Sequence, residues 1–213
     1  MTYSGPDDAE LMGYLARTPG AGQQPAVIVI QEWWGLNEHI KDVTDRFAAA
    51  GYVALAPDLY HGQVTTEPDE ARKLAMELGM GDAVAEIQAA MTFLRAQEYT
   101  SDQIGIIGFC MGGGLVLQTA VSDNTLGAAV PFYGTPVGQA DARRITAPVL
   151  SFLGTEDRIS AQNYEQMHAA LEGSGVPNHF QLYEGAQHGF FNDTRARFDP
   201  EAAADAWART LAW

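Results

Sequence analysis

An α/β protein with a mostly parallel central sheet and helices on both faces is the fold class this sequence predicts. Three observations carry it. Short apolar, β-branched runs alternate with longer segments of helical spacing, glycine- and proline-bearing turns separate them, and the polar residues able to do chemistry stand just after the apolar runs. Such alternation implies right-handed crossovers between parallel strands, with ligands at the strands' C-terminal ends.

Leu11 to Ala16 reads as a short edge strand, followed by a Pro/Gly turn from Thr18 to Pro25 and a central strand from Ala26 to Ile30. Asn37 to Ala50 has helical spacing, with Asn37 as N-cap and Gly51 just past the end. Tyr52 to Ala56 forms the next strand, closed by Pro57-Asp58. Pro68 to Leu78 and Asp82 to Gln97 read as two helices separated by Gly79 and Gly81, the second striped by Val84, Ile87, Met91 and Leu94. Ile104 to Ile107 is a buried strand, and Gly113 to Val121 a helix. Ala128 to Tyr133, Val149 to Leu153 and Phe180 to Tyr183 are three further strands, interleaved with helices near Ala161 to Leu171 and Glu201 to Leu211.

The 213 residues suffice for one sizeable core, and no Pro/Gly/Ser-rich linker divides them, so a single domain over residues 1–213 is expected. A formal charge of -15 disfavours nucleic acid and anionic membrane as partners. One cysteine forms no internal disulfide, no secretory signal pattern opens the chain and no apolar run spans a bilayer, which makes a cytoplasmic location the default; a monomer is expected, although the sequence does not itself give the oligomeric state. No metal-spaced Cys/His cluster and no phosphate-loop pattern is present, so neither a metal nor another cofactor is expected.

The lone cysteine sits in Gly108-Phe109-Cys110-Met111-Gly112, a Gly-x-nucleophile-x-Gly turn between a strand and a helix. A turn this sharp needs small residues around the nucleophile, and Gly108, Gly112, Gly113 and Gly114 supply them. The thiol then stands over a helix N-terminus, where amide groups and the helix dipole favour a thiolate. An inert core cysteine is the ordinary fate of a free thiol, but this glycine frame argues against it.

A thiol nucleophile needs a base, and the base an orienting acid. Asp157, in Gly154-Thr155-Glu156-Asp157, and His188, in Gln187-His188-Gly189, each follow a strand. Their alternatives are a helix-capping aspartate and a solvated histidine. The order nucleophile, acid, histidine is that of the α/β-hydrolases. Glu156 competes with Asp157, which is preferred because it lies one residue further out, before a helix start near Ser160. His39, His61, His168 and His179 are weaker bases, lying in helices, in a loop and at a strand start. Met111 and Trp33 are placed to supply oxyanion N–H groups. Glu32, at the end of the strand reaching Ile30 and walled by tryptophans, has reason for a raised pKa and for exchanging a proton with the thiol; its alternative is a salt-bridge partner.

In combination, Gln31-Glu32-Trp33-Trp34-Gly35-Leu36-Asn37, Ala56-Pro57-Asp58-Leu59-Tyr60, Gly108-Phe109-Cys110-Met111-Gly112-Gly113, Tyr133-Gly134, Gly154-Thr155-Glu156-Asp157 and His188-Gly189-Phe190 make this chain resemble the dienelactone hydrolase (carboxymethylenebutenolidase) family of the α/β-hydrolase fold. The resemblance spans nearly the whole chain. It implies Cys110, Asp157 and His188 as triad, Trp33 and Met111 as oxyanion donors, and Glu32 as the carboxylate controlling the thiol. It further implies substrate contacts from Arg72, Trp34, Tyr133 and Phe190, and a role in aromatic compound degradation. Asn192 stands where family members acting on dienelactone carry a second arginine, for which Arg195 or Arg197 substitutes only if the loop folds back. The implied activity is hydrolysis of an enol lactone or activated ester; the rivals are a general carboxylesterase or thioesterase and a non-catalytic small-molecule binder.

Overall fold

A computed structural model of the protein describes residues 1–20 and 22–213. Of the turn predicted over residues 18–25, Ala21 lies outside the described residues. Among these residues the strands are β1 (Thr2–Ser4), β2 (Glu10–Ala16), β3 (Gln24–Ile30), β4 (Val53–Pro57), β5 (Thr100–Phe109), β6 (Ala128–Phe132), β7 (Val149–Glu156) and β8 (Asn178–Gln187), and the helices are α1 (Glu38–Ala49), α2 (Pro68–Glu77), α3 (Met80–Arg95), α4 (Met111–Ser122), α5 (Gln139–Ala142), α6 (Ala161–Gly173) and α7 (Pro200–Ala212). The strands form one sheet in the order β1-β2-β4-β3-β5-β6-β7-β8. β3 and β4, β6 and β7, and β7 and β8 pair in parallel, whereas β1 with β2 and β2 with β4 are antiparallel. The α/β class and mostly parallel sheet expected from the alternation are thus present.

The segment Leu11 to Ala16 is a strand but not an edge strand over its whole length. Residues 10–12 carry β1 on one side while residues 13–16 pair with β4. β1 is too short to show a period, and so is the single turn of α5. β5 and β8 run well past the apolar runs that announced them, because backbone pairing continues where the side chains turn polar.

By internal contacts the chain forms two compact units, Met1–Ile107 and Gly108–Trp213, and the division falls inside β5. In the first unit β3 and β4 are almost entirely buried, as their unbroken apolar runs require. The Asn37 carboxamide accepts from the Ile40 N–H at 3.1 Å, capping α1, which buries Ile40, Val43 and Phe47. In the second unit Phe109, Phe132, Phe152, Phe190 and Phe191 form a fully buried aromatic core with centroid spacings of 4.5–6.2 Å.

A polar element is set into this second core. His168 on α6 places Nδ1 2.7 Å from Oδ1 of Asn178 and Nε2 2.9 Å from Oγ of Ser151. Nδ2 of Asn178 donates to the Val176 carbonyl, which fixes the amide's orientation. An amide oxygen only accepts, so Nδ1 carries the ring proton and Nε2 accepts from the serine hydroxyl. The neutral ring stacks on Phe180 at 5.6 Å, and Phe180 on Tyr164 at 5.0 Å. Burial lowers the His168 pKa, with the Asn178 bond opposing the shift.

A folded pKa below the unfolded value means that the unfolded chain takes up the proton first as pH falls. Stability from His168 is therefore complete above about pH 6.5 and declines below it. Replacing His168 by Leu orphans Ser151 and Asn178 and is expected to cost about 1–3 kcal/mol at pH 7. The same variant should lose less stability than the parent between pH 7 and pH 5 in urea titrations. An equal acid loss in both proteins contradicts this assignment.

Candidate active site

Cys110 follows the end of β5 and immediately precedes α4, with φ 56° and ψ −115°. A side chain at positive φ is costly, on the order of 1–3 kcal/mol, and persists only where the surroundings enforce it. Here they do. The Cys110 N–H donates to the Phe132 carbonyl at 3.0 Å. The first turn of α4 lies directly on the segment after β6: a Cβ on Gly113 would come 2.6 Å from the Phe132 carbonyl oxygen, and one on Gly134 would overlap the Gly113 and Gly114 backbone. Glycine at both positions is what lets the helix start close enough for the turn to form. The thiol is left partly exposed, and Met111 is the first helical residue, at the positive end of the dipole.

His188 and Asp157 meet this thiol from the ends of neighbouring strands. β7 and β8 are parallel, with a register irregularity between Gly154 and Glu156; a Cβ on Gly154 would overlap the Ala186 carbonyl, so the two strands close tightly just before Asp157 and His188. His188 Nε2 lies 3.1 Å from Cys110 Sγ, and Nδ1 2.8 Å from Asp157 Oδ2. The Asp157 side chain is fully buried, and its Oδ1 accepts from the Ile159 N–H at 2.9 Å. Both carboxylate oxygens are thus engaged, one by the histidine and one by the start of the next segment. Glu156, the competing acid, is exposed. The Tyr133 ring stands 5.2 Å from the His188 ring, itself held edge-on by Phe190 at 5.3 Å.

Burial of the His188 ring works against its charge, but hydrogen bonds and negative charge at Asp157 and Cys110 outweigh it and raise the pKa to about 9. The ring can therefore carry a proton at neutral pH, deliver it from Nε2 and take one back.

The remaining sequence candidates divide by unit. In the first unit, Glu32 is 4 % exposed just past β3. Trp33 and Trp34 are half-buried and meet edge-to-face at 5.0 Å, with the Trp34 carbonyl accepting from the Thr65 N–H. Arg72 on α2 is 65 % exposed and pairs with Asp69 at 3.5 Å. In the second unit, Tyr133 and Phe190 are fully buried. Asn192 is 1 % exposed, and its carboxamide oxygen accepts from the N–H and hydroxyl of Thr194, organising the loop after His188. Arg197 lines a cavity of about 420 Å³ further along that loop, with Gln187, Phe198 and Asp199. Of the competing histidines, His39 is buried, His61 lies 3.3 Å from Glu86, His168 belongs to the core network and His179 is exposed. Sequence reasoning missed Tyr164, whose hydroxyl donates to the Gly134 carbonyl at 2.6 Å. Only its place in an amphipathic helix was visible there.

Fold and site together define an α/β-hydrolase-type enzyme that cleaves esters. The family model for the dienelactone hydrolase family matches residues 11–213, and the chain belongs to that family. A Synechocystis protein bearing the name carboxymethylenebutenolidase is 38 % identical over 220 residues, covering 94 % of this chain and 89 % of its own. Protein usf of Aquifex pyrophilus is 38 % identical over 216 residues, covering 96 % and 92 %. Among solved structures, a Klebsiella pneumoniae protein bearing the name dienelactone hydrolase superposes with a TM-score of 0.91 at 32 % identity, covering 100 % of this chain and 96 % of its own. Among the described residues no helix is long and apolar enough to cross a membrane.

Because the folded His188 pKa lies above the unfolded value of about 6.5, its stabilisation is complete below about pH 6.5 and is lost as pH rises through about 9. Replacing Asp157 by Asn removes a principal cause. The NMR titration midpoint of the His188 ring should then fall from about 9 toward 6.5, and the alkaline loss of stability should shrink. An unmoved midpoint would show that Asp157 does not govern this charge.

Proposed function

We propose that the protein hydrolyses an enol lactone or activated ester through an acyl-enzyme on Cys110. The observation that carries this reading is the contiguous line from Asp157 Oδ2 through His188 to Cys110 Sγ, with contacts of 2.8 and 3.1 Å, ending on a thiol in a left-handed turn. In this mechanism the thiolate attacks the carbonyl carbon, and the carbonyl oxygen takes the negative charge, met by the N–H groups of Met111 and Trp33. The tetrahedral intermediate collapses, the C–O bond breaks, and the leaving oxygen receives the Nε2 proton of His188. Neutral His188 then removes a proton from water, the hydroxide adds to the thioester and the thiolate departs. Asp157 holds the imidazole and its charge throughout, and Glu32 takes up the thiol proton before attack and returns it after the thiolate has departed. Half-buried Trp34 supplies apolar surface for the acyl part, whereas Tyr133 and Phe190, fully buried, back the His188 ring and bear on the substrate only through it.

A thiolate suits acyl carbons whose leaving group needs little acid assistance, which favours enol lactones, aryl esters and thioesters over amides. Arg72 is in this reading the cation that meets an anionic substrate. A general carboxylesterase or thioesterase role is the second reading, favoured by Asn192, which is spent on its own loop. Small neutral or singly charged acyl compounds in the cytoplasm are the substrates either way.

Two measurements test the reading. With a 4-nitrophenyl ester the enzyme should release a burst approaching one 4-nitrophenolate per chain, and Cys110→Ala should lose on the order of a thousandfold or more in kcat/KM with its melting temperature retained. Full turnover by Cys110→Ala sinks the covalent mechanism, and an inert parent enzyme leaves the non-catalytic binder in its place. Replacing Arg72 by Ala should raise KM for an anionic lactone about tenfold, roughly the worth of one charge-assisted hydrogen bond. KM for a neutral ester should not move. Equal kinetics of this variant and the parent on both substrates removes the role given to Arg72.

A further inference from the structure

We propose that Tyr164 is a positioning residue for the nucleophile turn, fixing through its hydroxyl the backbone support that aims the Met111 N–H at the developing oxyanion. The inference rests on the covalent reading of Cys110 and deepens it. Tyr164 is fully buried on α6, far in sequence from the turn it serves. Its hydroxyl donates to the Gly134 carbonyl at 2.6 Å, a short bond in a water-free setting. Gly134 is the residue whose backbone lies against Gly113 and Gly114, with no room between them for a methyl group. Tyr133, just before it, holds the left-handed φ of 37° and donates its N–H to the Phe152 carbonyl at 2.8 Å.

The support behind the nucleophile turn is therefore a two-residue bend with two clamps: the β7 backbone at Tyr133 and a single side-chain hydroxyl at Gly134. The Cys110 ψ and the first α4 peptide decide where the Met111 N–H points, and both are pressed by that bend. Tyr164 has no freedom to drift. Its ring is stacked at 10° on Phe180, and Phe180 at 17° on His168, which Ser151 and Asn178 hold at both nitrogens. Tyr164 also lies within the first turn or so of α6, whose approach carries Asp157. One side chain thus ties the acid's segment to the nucleophile's support.

Acylation and alkylation of Cys110 make different demands. Both need the thiolate, but only acylation builds an oxyanion, so a misdirected Met111 N–H slows acylation and spares alkylation. Tyr164→Phe keeps the stacked ring and removes the hydroxyl. The expected result, by stopped flow with a 4-nitrophenyl ester, is an acylation rate about tenfold to a hundredfold below the parent. Deacylation builds an oxyanion at the same donor and should slow in parallel, so burst amplitude and KM should stay within about twofold, and the pH profile of iodoacetamide alkylation should be unchanged. Unchanged acylation overturns the proposal, as does a smaller burst with the parent rate per active site, which marks simple destabilisation. A parallel fall in alkylation and acylation also overturns it, since the thiol itself has then moved. Should Tyr164→Phe not fold, Phe180→Leu loosens the same ring and is read by the same criteria. Parent enzyme that still turns over ester after complete alkylation of Cys110 overturns the covalent reading and this proposal together, whereas the other negative outcomes overturn this proposal alone.

Discussion

A positive φ at Cys110 is the constraint on which the rest of the second unit depends. The conformation is unfavourable by itself, on the order of 1–3 kcal/mol, and the protein keeps it by crowding rather than by attraction. Gly113 and Gly134 bring two backbones into contact where any side chain would force them apart. The Phe132 carbonyl takes the Cys110 N–H, the Phe152 carbonyl takes the Tyr133 N–H, and Tyr164 takes the Gly134 carbonyl. Behind these bonds lies the Phe109–Phe132–Phe152 cluster, which keeps water out and makes each backbone bond costly to break. The thiol stays in place because its supports are dry and close-packed, while it is itself left partly exposed.

Two histidines in this unit show how local surroundings overrule global charge. A chain of net charge -15 favours protonation everywhere, yet His168 is held neutral and His188 charged. Screening confines the distant carboxylates' influence to about 8–10 Å, so each ring answers to what touches it. His168 meets an amide oxygen, a hydroxyl and aromatic faces, none of which compensates a cation in a buried site. His188 meets a buried carboxylate on one nitrogen and a thiol on the other. The two rings impose opposite slopes: His168 withdraws stability below about pH 6.5, and His188 withdraws it as pH rises through about 9.

The positions of Cys110, Asp157 and His188 were legible in the sequence because each stands after a strand beside glycine, and at Gly113, Gly134 and Gly154 the backbone leaves no room for a Cβ. The helices and most strands were legible for a related reason: their apolar spacing is the image of one buried face. Tyr164, Ser151 and Asn178 carry no such mark. Each is an ordinary residue in an ordinary element, and its importance arises from a partner at least ten positions away, which periodicity does not encode. β1 was illegible because three residues fall below any pattern's resolving length, and its presence turns part of the expected edge strand β2 inward. Position alone favoured Asp157 over Glu156 in the sequence; in the fold the Asp157 carboxylate is enclosed with both oxygens engaged, and Glu156 is exposed.

The loop after His188 shows how a single buried residue fixes the course of a chain segment. Asn192 points inward, is almost fully buried, and holds Thr194 by two hydrogen bonds, while its own N–H donates to the Gly189 carbonyl. A long cationic side chain there would have to leave this turn or bury its charge, and burial of an unpaired guanidinium is prohibitive. The turn and an outward-reaching arginine at position 192 are therefore mutually exclusive. The next cations, Arg195 and Arg197, come after the turn has redirected the chain, and Arg197 faces a separate open cavity with Phe198 and Asp199. Position 192, close in sequence to His188, therefore carries a buried carboxamide that closes a compact loop, and a cation there would have to break that loop open.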